Sequence, residues 1–184
     1  MKFFICILLY TAINLGANTV NAGTDNLIAL ADGDLGRIQF HKNEKSFSLS
    51  EFERSDEKKT SILDYKEKFL LINFWALWCA PCVKELPSLD NLNMSINNSN
   101  FEVIAIATGR NSKKKANLFF KTNKITSLEL LFDSNGSLAR DMRIKVLPTT
   151  IMVGSNGKEV GRIEGLVEWD SIASQKLFKS WISN

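Results

Sequence analysis

Phe69-Leu70-Leu71-Ile72-Asn73-Phe74-Trp75 is apolar at all but one position, and Cys79-Ala80-Pro81-Cys82 follows almost at once. A run of that length suits a central strand covered on both faces. Beyond Pro81, apolar residues fall at Val83, Leu86, Leu89 and Leu92, the spacing of one helical face, with Pro87 set to kink it. A buried strand feeding a helix through so short a link belongs to a layered α/β architecture. The two cysteines occupy the junction.

The rest of the chain extends that plan. Residues 101–107 predict a second buried strand, and Ser112 opens a helix with Ala116, Phe119 and Phe120 on one face. Residues 128–132 predict a short strand and 137–142 a short helix. Strands over 149–153 and 159–164 are joined through Gly154-Ser155-Asn156-Gly157-Lys158, where Asn-Gly signals a turn with positive φ at both central positions. A closing helix is expected to carry Trp169, Ile172, Ala173, Leu177 and Trp181 on one face. Ahead of the apolar strand, 40–52 reads as an edge strand with a loop, and the densely charged 51–59 as a surface turn. Leu27, Ile28 and Leu30 form a short apolar piece able to dock as a small helix. The expectation is a mixed central sheet with helices on both faces and a C-terminal hairpin plus helix.

The chain has 184 residues, enough for one domain and a short targeting segment. A net charge of +3, with Lys113-Lys114-Lys115 as the one basic cluster, reads as a solvated helix face. It gives no support to nucleic-acid binding. Lys2 and the uncharged stretch that follows, ending in Val20-Asn21-Ala22, read as an export signal over residues 1–22. Its apolar core is short of the roughly 20 residues that span a bilayer, but anchoring through residues 3–22 stays open if the segment is not cleaved. Residues 23–39 then form an extension, and 40–184 the domain. Cleavage removes Cys6 and leaves two cysteines in a disulfide-permissive compartment, periplasmic or elsewhere in the cell envelope.

A cysteine directly after a strand and before a helix lies at the helix N-terminus. There the partial positive charge and free N–H groups favour a thiolate. Cys79 has that position and is the expected nucleophile, with Cys82 one turn on as the resolving thiol. Pro81 fits the first helical turn, where a missing N–H is harmless. Trp78 serves either as a flat apolar wall over the site or as simple packing.

Residues 71–87, the segment Val146-Leu147-Pro148-Thr149-Thr150, Asn156-Gly157-Lys158-Glu159-Val160-Gly161 and Glu168-Trp169-Asp170 together resemble the exported TlpA/ResA family, TlpA above all. The resemblance covers about residues 40–181. It implies a thioredoxin fold and a thiol–disulfide oxidoreductase, most often a reductase of cysteine pairs in cytochrome c or cytochrome oxidase maturation proteins. Its partners are then disulfide-containing proteins and a membrane electron donor that recharges the pair, and it needs no cofactor. It also makes Leu147-Pro148 the cis-proline loop, which faces the dithiol and offers backbone groups to an extended substrate. The stretch between Cys82 and Pro148 leaves room for one strand–helix unit beyond the minimal thioredoxin plan.

Two departures qualify the analogy. Asn73 stands where thioredoxin itself has a buried aspartate, so a carboxylate shuttle from the strand is not expected. Ala80 replaces a glutamate of some ResA-like proteins. Glu85 reads as a surface helix residue in preference to a distant acid–base group, and His41 as a surface strand residue. The alternatives are a disulfide-donating oxidase or isomerase and, in a different class, a copper metallochaperone built on the cysteine pair.

Overall fold

The computed structural model describes residues 21–183. Cys6 and most of the expected export signal lie outside the described residues. Among those described, no helix is long and apolar enough to cross a membrane.

The chain runs α1 (Asn21–Leu30), a 3-10 turn (Gly33–Arg37), β1 (Gln39–Ser46), β2 (Phe52–Arg54), β3 (Lys59–Thr60), a second 3-10 turn (Ile62–Tyr65) and β4 (Phe69–Trp75). It continues with α2 (Ala80–Ile96), β5 (Phe101–Thr108), α3 (Lys113–Thr122), β6 (Glu129–Asp133) and α4 (Ser137–Asp141). β7 (Thr149–Val153), β8 (Lys158–Glu164) and α5 (Ile172–Ile182) complete it. The strands of the described residues form one sheet of order β1-β8-β7-β4-β5-β6-β2-β3. β4, β5 and β6 are parallel, joined by the crossover helices α2 and α3, and the remaining pairs are antiparallel. This is a mixed α/β thioredoxin-like fold.

β4 is central, and its side chains serve two cores. Leu71 and Trp75 join Leu86, Leu89, Leu92, Phe120, Leu177 and Phe178 beneath α1, α2, α3 and α5. Leu70, Ile72 and Phe74 face the other way, with Phe52, Ile104, Leu131, Leu138 and Ile151. That second face is closed by α4 and the turn Ile62–Tyr65, so helices stand on both faces but unequally.

Three sequence expectations change. Residues 51–59 are a surface turn only over 55–58: Phe52 is buried, and β2 pairs with both β3 and β6. The charges survive there because they are satisfied sideways, Glu53 bonding Lys59 at 3.1 Å and Lys113 at 2.7 Å. Lys113 is therefore tied into the sheet edge rather than freely solvated. In the hairpin after β7, Gly157 has φ 75 while Asn156 has no positive φ. The Gly157 N–H reaches the Gly154 carbonyl at 2.8 Å, so glycine alone supplies the left-handed step. In the last segment Trp169 precedes α5 and is fully buried, whereas Ile172, at its first position, is exposed. α2 runs through Pro87 to Ile96.

Candidate active site

Cys79 is the N-cap of α2, with extended backbone, and its sulfur accepts the Cys82 N–H at 3.3 Å. The two cysteines are joined as a disulfide with Cα atoms 5.3 Å apart. Cys79 keeps a trace of exposure and Cys82 none. Helix geometry produces this difference: the cap looks out along the axis, while the residue one turn later turns toward the sheet. When the pair is reduced, the Cys79 sulfur faces the free N–H groups of the first turn, which stabilise a thiolate.

The loop before Cys79 is pinned by a residue the sequence reading passed over. Asn111 accepts the Leu77 N–H on Oδ1 at 2.9 Å and donates from Nδ2 to the Thr108 carbonyl at 2.8 Å. It thereby ties the ends of β4 and β5 together. Its position three residues past a buried strand was the available signal. Trp78 in that loop is 70% exposed, which rules out core packing as its role.

The Leu147–Pro148 peptide is cis. β7 lies antiparallel to β4 with Thr149 opposite Phe74, so the next step of the register sets Pro148 against Trp75, at the dithiol end. The Pro148 carbonyl accepts the Gly165 N–H at 2.8 Å, and Thr149 Oγ1 donates to the Val146 carbonyl at 2.8 Å. Val146 is exposed and Leu147 half-buried. Cys79, Cys82, Trp78, Leu147 and Pro148 therefore converge on one end of the sheet.

Glu85 is the main correction. It is 1% exposed, not a surface residue. Three residues after Cys82, it shares the inward face of α2. Oε1 accepts Asn73 Nδ2 at 2.7 Å, and Oε2 accepts the Val167 N–H at 3.1 Å and Trp169 Nε1 at 3.4 Å. Burial pushes its pKa up to about 7, against the pull of those donors and of the Arg37 charge. Asn73 also donates to Thr150 Oγ1 at 2.9 Å. The carboxyl missing from β4 is thus supplied by α2 and held by the very asparagine that replaces it.

His41 is likewise not a simple surface residue. Its Nε2 lies 2.7 Å from Glu159, whose carboxylate is also held by Arg162 at 2.6 Å and 2.7 Å. Burial opposes the Glu159 charge, but Arg162 and His41 outweigh it and keep its pKa low. Glu159 is the second residue of β8, opposite Val153 and so at the end of the strand away from Pro148. His41 is therefore no neighbour of the cysteines. Among the described residues, no group of three or more His, Cys, Asp or Glu side chains is placed to hold a metal ion.

A Cys-x-x-Cys disulfide heading a helix of a thioredoxin-like sheet defines a thiol–disulfide oxidoreductase. The AhpC/TSA family model matches residues 42–159, and the chain belongs to that family. The thiol-disulfide oxidoreductase ResA of Bacillus thuringiensis subsp. konkukian is 26% identical over 129 residues, which is 70% of this chain and 72% of that protein. ResA of Bacillus subtilis is 28% identical over 113 residues, 61% of this chain and 62% of that one. Among solved structures, a DsbF homologue from Corynebacterium diphtheriae matches with TM-score 0.67 and 25% identity, over 80% of this chain and 93% of its own. The exposed lipoprotein thioredoxin Etrx1 of Streptococcus pneumoniae matches with TM-score 0.57 and 26% identity, over 71% and 98%. The resemblance to the TlpA/ResA family is borne out, and the chain is a thiol–disulfide oxidoreductase of the ResA type, a family that implies disulfide-containing protein substrates.

Proposed function

We propose that the protein is a reductase of the cell envelope, periplasmic where such a compartment exists, that opens disulfides in cytochrome c or cytochrome oxidase maturation proteins. The observation that carries the reading is the pairing of Cys79 at the helix cap with a buried carboxyl, Glu85, one turn below Cys82. The Cys79 thiolate attacks one sulfur of the substrate disulfide, forming a mixed disulfide and releasing a thiolate that takes a proton from solvent. Cys82 gives its proton to the Glu85 carboxylate and attacks the Cys79 sulfur. The second substrate thiolate leaves and is protonated. Two electrons have passed to the substrate, and the Cys79–Cys82 disulfide remains for a membrane electron donor to reduce. Trp78, Val146 and the backbone beside Leu147-Pro148 form the docking face for an extended substrate segment. The exposed lipoprotein thioredoxin among the solved relatives supports the envelope location.

A Cys82→Ser variant tests the order of events: it should accumulate a mixed disulfide through Cys79, and mass spectrometry of the adduct names the captured protein. Failure to capture any protein while Cys79 remains reactive would sink the assignment. Electron flow is tested by the equilibrium reduction potential. A value near the strong-oxidant end, around −120 mV, would replace the reductase with a disulfide donor.

A further inference from the structure

Both donors to Glu85 Oε2 come from the loop between β8 and α5, through the Val167 N–H and Trp169 Nε1. The start of that loop is held by Arg37, the last residue of the 3-10 turn ahead of β1. Its Nη1 donates to the Glu164 carbonyl at 3.0 Å and its Nη2 to the Leu166 carbonyl at 2.6 Å. The guanidinium therefore bridges Gly165, which has φ +85. That left-handed backbone, rather than any lack of space beside Arg37, is what suits glycine there. Asp34 completes the clamp, accepting from Arg37 at 3.3 Å and from the Glu168 N–H at 3.3 Å. The turn is itself fixed by the buried Leu35.

We infer that Arg37 is a positioning residue for the Glu85 carboxyl, acting through the loop that carries Val167 and Trp169. The inference rests on the reading of Glu85 as the proton partner of Cys82. It gives the segment before the domain a part in the chemistry without contact with the cysteines. The groups around Glu85 are Lys84 on its own helix, Asp34 and Arg37 from the turn, and Glu168 and Asp170 from the loop. Asn73 and Thr150 are the uncharged polar neighbours from β4 and β7, and the cysteine pair lies one turn above. Among these, Arg37 favours the ionised carboxyl both by its charge and by aligning the two donors.

The test is a carbon-13 titration of the Glu85 carboxyl in the oxidised protein, assigned by its absence in Glu85→Gln. Arg37→Met should raise the midpoint by about one pH unit, since hydrogen bonds to the charged form weaken. Arg37→Lys, which keeps the charge and a single donor, should fall between the two, and its fold controls for any disturbance in Arg37→Met. A midpoint in Arg37→Met that matches the unmodified protein, or lies below it, overturns the inference. The role of Glu85 is judged separately, by the pH profile of thiol alkylation in the reduced protein. If Glu85→Gln leaves that profile unchanged, the proton-partner reading falls, whatever Arg37 does to the carboxyl.

Discussion

Glu85 makes the stability of the oxidised domain depend on pH in an unusual direction. Unfolded, it titrates near its ordinary value of 4.5; folded, it holds its proton up to about pH 7. The stability tied to that proton is full below pH 4.5 and is lost as the pH rises through 7. The difference amounts to about 3 kcal/mol at most. Glu85→Gln should therefore gain on the unmodified protein by up to that amount between pH 4.5 and pH 8, as read from urea unfolding at each pH. Curves that stay parallel would show that the carboxyl titrates normally. Trp78 works on the opposite principle: it is exposed, so Trp78→Ala should leave stability within about 0.5 kcal/mol. The same change should slow reduction of protein disulfides more than reduction of a small disulfide, if the ring is a docking surface. Equal slowing of both reactions would remove it from the substrate face. The signal for Glu85 was present in the sequence, because Cys82, Glu85, Leu86 and Leu89 fall at i, i+3, i+4 and i+7. A charged side chain at such a position is ordinarily assigned to the surface, and only the partners from β4 and the late loop, distant in sequence, make its burial possible.

Elements followed the apolar patterns where those patterns were uninterrupted. β4, β5, α3, β7 and β8 lie close to where periodicity sets them, and the strand–helix junction placed Cys79 at its cap. β2 and β3 were hidden because they are short and mostly charged, so Phe52 is the one apolar residue that marks their buried side, with the polar Thr60 buried opposite it. Loops were the least legible, since their order comes from single side chains reaching across the chain. Asp90 shows how strongly: 3% exposed on α2, it accepts the Thr126, Ser127 and Leu128 N–H groups at 3.1, 2.6 and 3.1 Å. Asp90→Ala leaves those donors unpaired and should cost about 2–3 kcal/mol, measured as a fall in urea midpoint at constant slope. A loss below about 0.5 kcal/mol would mean that water replaces the carboxylate freely.

At the scale of the whole molecule, stability should fall from the middle of the sheet outward. β4 is flanked by β5 and β7 and covered on both faces, whereas β3 has two residues and β1 is exposed along most of its length. Amide hydrogen exchange should accordingly be slowest at Leu71, Ile72 and Phe74 and fastest in β1 and β3. Uniform protection across the sheet would contradict that gradient.

The same margins bear on how the protein survives its own work. A thiol–disulfide oxidoreductase meets chains that are open enough to expose their cysteines, and such chains seek unpaired strands. On one margin β1 sets Lys42, Glu44 and Lys45 in solvent, and its pairing with β8 slips between Phe40 and Lys45. On the other, β3 ends after Thr60. Among the described residues neither margin presents a long, flat, uncharged ladder, which denies an unfolded client a template for cross-β growth.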